Sequence, residues 1–135
     1  MRSSAAVSSS ACACGRLRRA TRALTQLYDD LMAPSGLRIT QFSLLRTLAR
    51  DGTARISDLA DTLLLDRTAL SRTLERTREV SLTRAGEKAL SAALPHWKRA
   101  QLKVASKLGP DRLEALIATL GVIEALHPDP GGRAR

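Results

Sequence analysis

The stretch Ile56–Gly86, "ISDLADTLLLDRTALSRTLERTREVSLTRAG", decides how the chain is read. Two short helical runs flank a turn at Leu64–Leu65–Asp66. Ser57 is placed to cap the first run, and Leu59, Ala60 and Leu63 share its inner face. Asp66 is placed to cap the second, with Ala69, Leu70 and Leu74 inward. The small Ala60 lets the two runs approach closely. The outer face of the second run then carries Arg67, Thr68, Ser71, Arg72 and Thr73. A helix of this kind fits the major groove of DNA, where arginine pairs bidentately with guanine and hydroxyls reach bases or phosphates. Its N-terminus attracts phosphate as well. The alternative is a helix pair used only for packing. The absence of any acidic residue from Arg67 to Leu74 argues against it.

Working outward, "EVSL" (79–82) alternates Val80 and Leu82 like a short strand, and "ARI" (54–56) reads as extended. Thr83 is expected to cap a long helix ending near Leu108, striped by Leu90, Leu94, Trp97, Val104 and Leu108. Gln101 interrupts that stripe, and Pro95 is expected to kink the helix. Pro110 suits the first turn of a last helix lined by Leu113, Leu116, Ile117, Leu120 and Ile123. Upstream, Leu17, Ala20, Leu24, Leu27 and Leu31 mark a helix from about Gly15 to about Ala33. Thr40 is expected to cap a second helix that buries Phe42, Leu45, Leu48 and Ala49 and ends before Gly52. The class is therefore mainly α. Residues 1–11 are expected to be disordered, 12–127 to form one domain and 128–135 a flexible tail. Within the domain, the DNA-reading part covers about 38–82, and the dimerisation helices about 15–33 and 83–127.

The bulk numbers agree. Lys plus Arg is 22 against 13 Asp plus Glu, a formal charge of +9. That balance suits a polyanionic partner, although a solvated basic surface would also produce it. Aromatics are only 2%, so aliphatic side chains must build the core, which favours helices. No apolar run is long enough for a bilayer and the N-terminus lacks a signal-peptide core, so a cytoplasmic protein with no membrane partner is expected. With two cysteines and two histidines apart from one another, no metal set of usual spacing is present. No phosphate loop or nucleophile elbow appears. No catalytic residue, metal or cofactor is expected, and no enzyme. The apolar stripes at both ends of the chain exceed what one small domain covers. A homodimer is the economical solution, and a compact monomeric bundle the alternative.

Three pieces carry a resemblance. They are "CGRLRRATRALTQLYDDLMAPSGLRITQFSLLRTLARDG" (14–52), "ISDLADTLLLDRTALSRTL" (56–74) and "REVSLTRAGEKAL" (78–90). In this order the chain resembles the MarR family of winged helix–turn–helix transcription regulators. The resemblance implies homodimers built from the first and last two helices. It implies a repressor of a palindromic operator on double-stranded DNA, released by a small-molecule effector or an oxidant. By position, Arg67, Thr68, Ser71 and Arg72 read the groove, and Arg76 completes the expected DNA-binding set. Some relatives sense peroxide through a cysteine placed like Cys14, which makes Cys14 and Cys12 candidate redox residues. Arg16, Arg18 and Arg19 follow, and positive charge beside a thiol favours its reactive anionic form. Tyr28 matches one supporting tyrosine of those relatives, but Arg18 stands where another would be. An incidental exposed thiol is the alternative.

Two departures qualify the resemblance. Leu64 stands where many family turns have Gly, which adds modest strain. More seriously, the family places the end of the recognition helix and a two-stranded wing between positions like Leu74 and Arg78, and such a wing takes roughly 15–20 residues. Only Glu75, Arg76 and Thr77 are available here. The expected fold is thus a winged helix–turn–helix with a truncated wing and long flanking helices. The short link is expected to fray the recognition helix and to let Val80–Leu82 pair poorly with Ile56. An alternative function follows: a wing-less interaction protein that binds DNA poorly and pairs with a full-length relative.

Overall fold

The computed structural model describes residues 12–55 and 79–126. Helix α1 spans Ala13–Met32 and tightens into a 3₁₀ turn, Ala33–Ser35. Helix α2 spans Ile39–Asp51. Strands β1 (Thr53–Arg55) and β2 (Glu79–Ser81) pair antiparallel. Helix α3 spans Arg84–Leu108 and α4 spans Pro110–Glu124.

The start of α2 is capped differently from the expectation. Its N-cap is Arg38, not Thr40. The Arg38 backbone N–H donates to Gln41 Oε1 at 2.9 Å. The Ile39 N–H donates to Asp29 Oδ1 on α1 at 2.8 Å. A carboxylate from a neighbouring helix thus satisfies one of the orphan N–H groups and complements the helix dipole. Such a tertiary cap leaves no local signature. At the other end, Gly52 holds φ +80°, a left-handed region that side chains avoid, and its N–H donates to Leu48 O at 2.8 Å.

The α2 face is rotated slightly from the expected one. Phe42 and Leu48 are buried, but Ala49 is exposed and Thr47 is buried instead. Thr47 tolerates this because its hydroxyl donates to Ser43 O at 2.9 Å. Ile56, the expected partner of Val80–Leu82, lies outside the described residues, but β1 and β2 do pair. Thr53 faces Ser81, Ala54 faces Val80 and Arg55 faces Glu79. Val80 therefore meets Ala54, not Ile56, and the strand pair forms despite the missing wing residues.

Helix α3 begins as expected, with Thr83 Oγ1 accepting from Gly86 N at 3.0 Å. It runs through Pro95, which lies on the exposed side. Gly109, at φ +81°, reverses the chain into α4, where Pro110 takes the first helical position. The core is a joint between three helices. Met32, Phe42 and Ala93 are fully buried or nearly so, with Leu37, Ile39, Leu90, Leu94 and Trp97 packed around them. At the other end α4 has no buried residue. Leu102, Ile117, Val122 and Leu126 stand 69%, 62%, 66% and 78% exposed. No helix among the described residues is long and apolar enough to cross a membrane.

Candidate nucleic-acid interface

The sequence assigns DNA reading to Arg67, Thr68, Ser71, Arg72 and Arg76, and all five lie outside the described residues. The described residues define how that segment is held. Residue 56 leaves from the end of β1 and residue 78 arrives at the start of β2. Because Arg55 and Glu79 are register partners, the two ends of the segment 56–78 are pinned side by side. Cα atoms of antiparallel partners sit about 5 Å apart. The strand pair therefore brings together the two points at which the chain leaves and re-enters the described residues. Thr83 then starts α3 two residues after β2 ends, so the closure is fastened directly to the longest helix.

Helix α2 enters this closure from the other side and is fixed to α3 by aromatic packing. The Phe42 and Trp97 rings stack with centroids 5.5 Å apart and planes 26° from parallel. One turn further on, the Arg46 guanidinium lies 4.4 Å from the Trp97 ring centroid. Arg46, Arg50, Ser43 and Thr47 line a polar hollow of about 480 Å³ on the same helix. Arg50 also pairs with Asp51 at 2.9 Å. Their hydrogen bond raises the guanidinium pKa and lowers that of the carboxylate. Both groups are open to solvent, so the pair adds little to stability.

A groove of about 770 Å³ runs between the start of α1 and the end of α4. Its walls include Cys14, Leu17, Arg18, Arg22, Ile123 and Leu126. Cys12 and Cys14 are free, exposed thiols. Tyr28 hydroxyl donates to Gln101 Oε1, which gives the residue that interrupts the α3 stripe a structural role. Burial raises the Tyr28 pKa above its ordinary value. Among the described residues no group of three or more His, Cys, Asp or Glu side chains is arranged to hold a metal.

Sequence reasoning missed Asp29 as a cap, Met32 as a core residue and Arg46 as the partner of Trp97. The first two carry no local signal. The third had one: Arg46 lies four residues after Phe42, on the face that meets the single tryptophan.

A helix–turn–helix pattern clamped between paired strands, with long helices on either side, defines a winged helix–turn–helix protein. The MarR family profile matches residues 37–76. The M. tuberculosis transcriptional regulator MosR is 36% identical, with a TM-score of 0.69 over 86% of this chain and 97% of that one. MosR in complex with DNA is 35% identical, with a TM-score of 0.66 over 87% and 100%. The transcriptional repressor CouR, bound to p-coumaroyl-CoA, is 26% identical, with a TM-score of 0.72 over 92% and 98%. No curated protein sequence matches the chain. The chain belongs to the MarR family of transcriptional regulators.

Proposed function

We propose that this protein is a homodimeric repressor that binds a palindromic operator and is released by a small ligand or an oxidant. One observation supports the reading most strongly. The apolar side chains left exposed at Leu102, Ile117, Val122 and Leu126 all lie on the flanking helices α3 and α4, or just beyond. A second copy covering them would set two reading segments at a fixed separation, as a palindrome requires. DNA as the partner is supported by the complex formed by MosR, and a small-molecule effector by the ligand bound to CouR. The oxidant route is supported by the exposure of Cys14 and Cys12, and by Arg18 and Arg22 in the groove that Cys14 lines. Within the segment 56–78, Arg67, Thr68, Ser71 and Arg72 read bases, and Arg76 adds charge for the backbone.

The test is a selection of duplexes from a randomised pool by the purified protein, followed by substitution. Arg67→Ala or Arg72→Ala should cost about 1–3 kcal/mol on the selected site, with discrimination lost at one base pair. An equal loss on all sequences would assign the arginine to phosphate instead. Recovery of no preferred duplex would remove the regulator reading. For the oxidant route, peroxide should release DNA from the wild type and not from Cys14→Ser. Release that persists in the variant would leave Cys14 an incidental thiol.

A second reading rests on the short span Glu75–Thr77. A chain lacking the wing would lose phosphate contacts and bind DNA weakly, and it would act by pairing with a full-length relative. Log affinity against log salt separates the two. A wing inserted after Glu75 should steepen the slope if the wing's contacts are missing. Equal slopes and equal affinities would place the phosphate contacts elsewhere.

A further inference from the structure

The geometry points to Arg46 and Trp97 as positioning residues that fix the angle of the reading unit on the long helix, and so the spacing between the two half-sites the dimer accepts. The inference rests on the DNA-reading role proposed above. Its basis is the smallness of the joint. Among the described residues the buried hydrophobic side chains are Met32, Phe42, Leu48, Ala93 and Ala100. Two of them, Met32 on α1 and Phe42 on α2, form one cluster with Ala93 of α3. On α2 the cluster is met by Phe42, with Ile39 packed against it one turn earlier; both lie in the first turns of the helix, so they fix its start more firmly than its far half. The second anchor, a turn further along α2, is Arg46 over Trp97.

That second anchor has the properties of an angular stop. Guanidinium–indole attraction is strongest when the cation sits over the ring face and falls as the helix swings away. The contact is made at the solvent edge, since Arg46 is exposed, so it holds the angle without belonging to the packed core. Ala93 and Ala100, both fully buried, flank Trp97 by four and three residues on α3, and neither is bulky enough to act as a stop. Beyond Arg46, α2 passes through Gly52 into β1, whose pairing with β2 closes the segment 56–78. A change in the tilt of α2 is therefore carried to the reading segment. In a two-fold dimer a small tilt in each protomer adds across the axis, and a palindrome tests that sum.

Two measurements decide this. The first needs no DNA. In a Cys12→Ser, Cys14→Ser background, spin labels at Ala49→Cys on α2 and Lys103→Cys on α3 report the angle as a distance distribution, in protein diluted with unlabelled chain. Arg46→Met, which keeps the stem and drops the charge, should broaden or shift that distribution, and Arg46→Lys should largely restore it. Identical distributions for wild type and Arg46→Met would overturn the proposal. The second uses the duplex selected by the wild type and a copy with one half-site scrambled. Arg46→Met should lose about fivefold to tenfold on the intact palindrome and less than twofold on the scrambled copy. Equal losses on both would make Arg46 a phosphate contact and overturn it. If the wild type selects no duplex, the regulator reading fails, while the distance measurement still decides whether Arg46 sets the angle.

Discussion

The two ends of this fold are built to different standards of completion. At the joint between α1, α2 and α3, Met32, Phe42 and Ala93 are sealed, a cap for α2 comes from α1, and an arginine closes the solvent edge. At the far end, α4 buries nothing, and an apolar groove lies open between it and α1. The joint satisfies its own chemistry within one chain. The far end does not, and each fully buried Leu, Ile or Val there would contribute roughly 1.5–3 kcal/mol. The difference teaches which surface is complete within one chain and which leaves apolar side chains uncovered.

The comparison breaks most severely at Phe42. Phe42→Ala removes the pivot of a small core and should cost about 3–5 kcal/mol in chemical denaturation. A cost below about 1 kcal/mol would mean that the joint is not the centre of stability. Ile117→Glu tests the opposite end. It should leave helix content intact, because Ile117 is 62% exposed within one chain, and convert the proposed dimer to monomer in sedimentation. A dimer unchanged by this charge would favour the compact monomeric bundle for the protomer and another surface for association.

Two smaller effects sharpen the picture. Thr83→Ala removes the side-chain cap that starts α3 just after β2, and should cost about 1 kcal/mol in the same denaturation assay. Tyr28→Phe removes the hydrogen bond to Gln101, worth about 0.5–1.5 kcal/mol. It also carries a pH signature. Burial raises the Tyr28 pKa, so the folded chain holds that proton more tightly than the unfolded one. The associated stability is complete below the ordinary tyrosine pKa of about 10 and is lost as pH rises through the raised folded value. A thermal melt series across that alkaline range should show a steeper loss in wild type than in Tyr28→Phe.

The helices were legible because their signals are local. Thr83 as a cap, Pro110 at a first turn, Gly52 after a helix end and the Phe42–Leu48 spacing all act within one or two turns of chain. The β1–β2 pair was half legible: the alternation at Val80 was readable, but its partner was not. Register depends on where the intervening chain lets the strands meet, so Val80 lies opposite Ala54 rather than Ile56.

By itself the sequence determined the helical class, the resemblance carried by Ile56 to Leu74, the short span before β2 and the apolar stripes of the flanking helices. Each follows from periodicity or spacing, which a linear chain records directly. Only the tertiary structure decided that Asp29 caps α2, that Tyr28 pairs with Gln101 across 73 residues, and that Arg46 lies over Trp97. These contacts join residues distant in the chain, and their partners are chosen by helix packing angles, which no local pattern encodes.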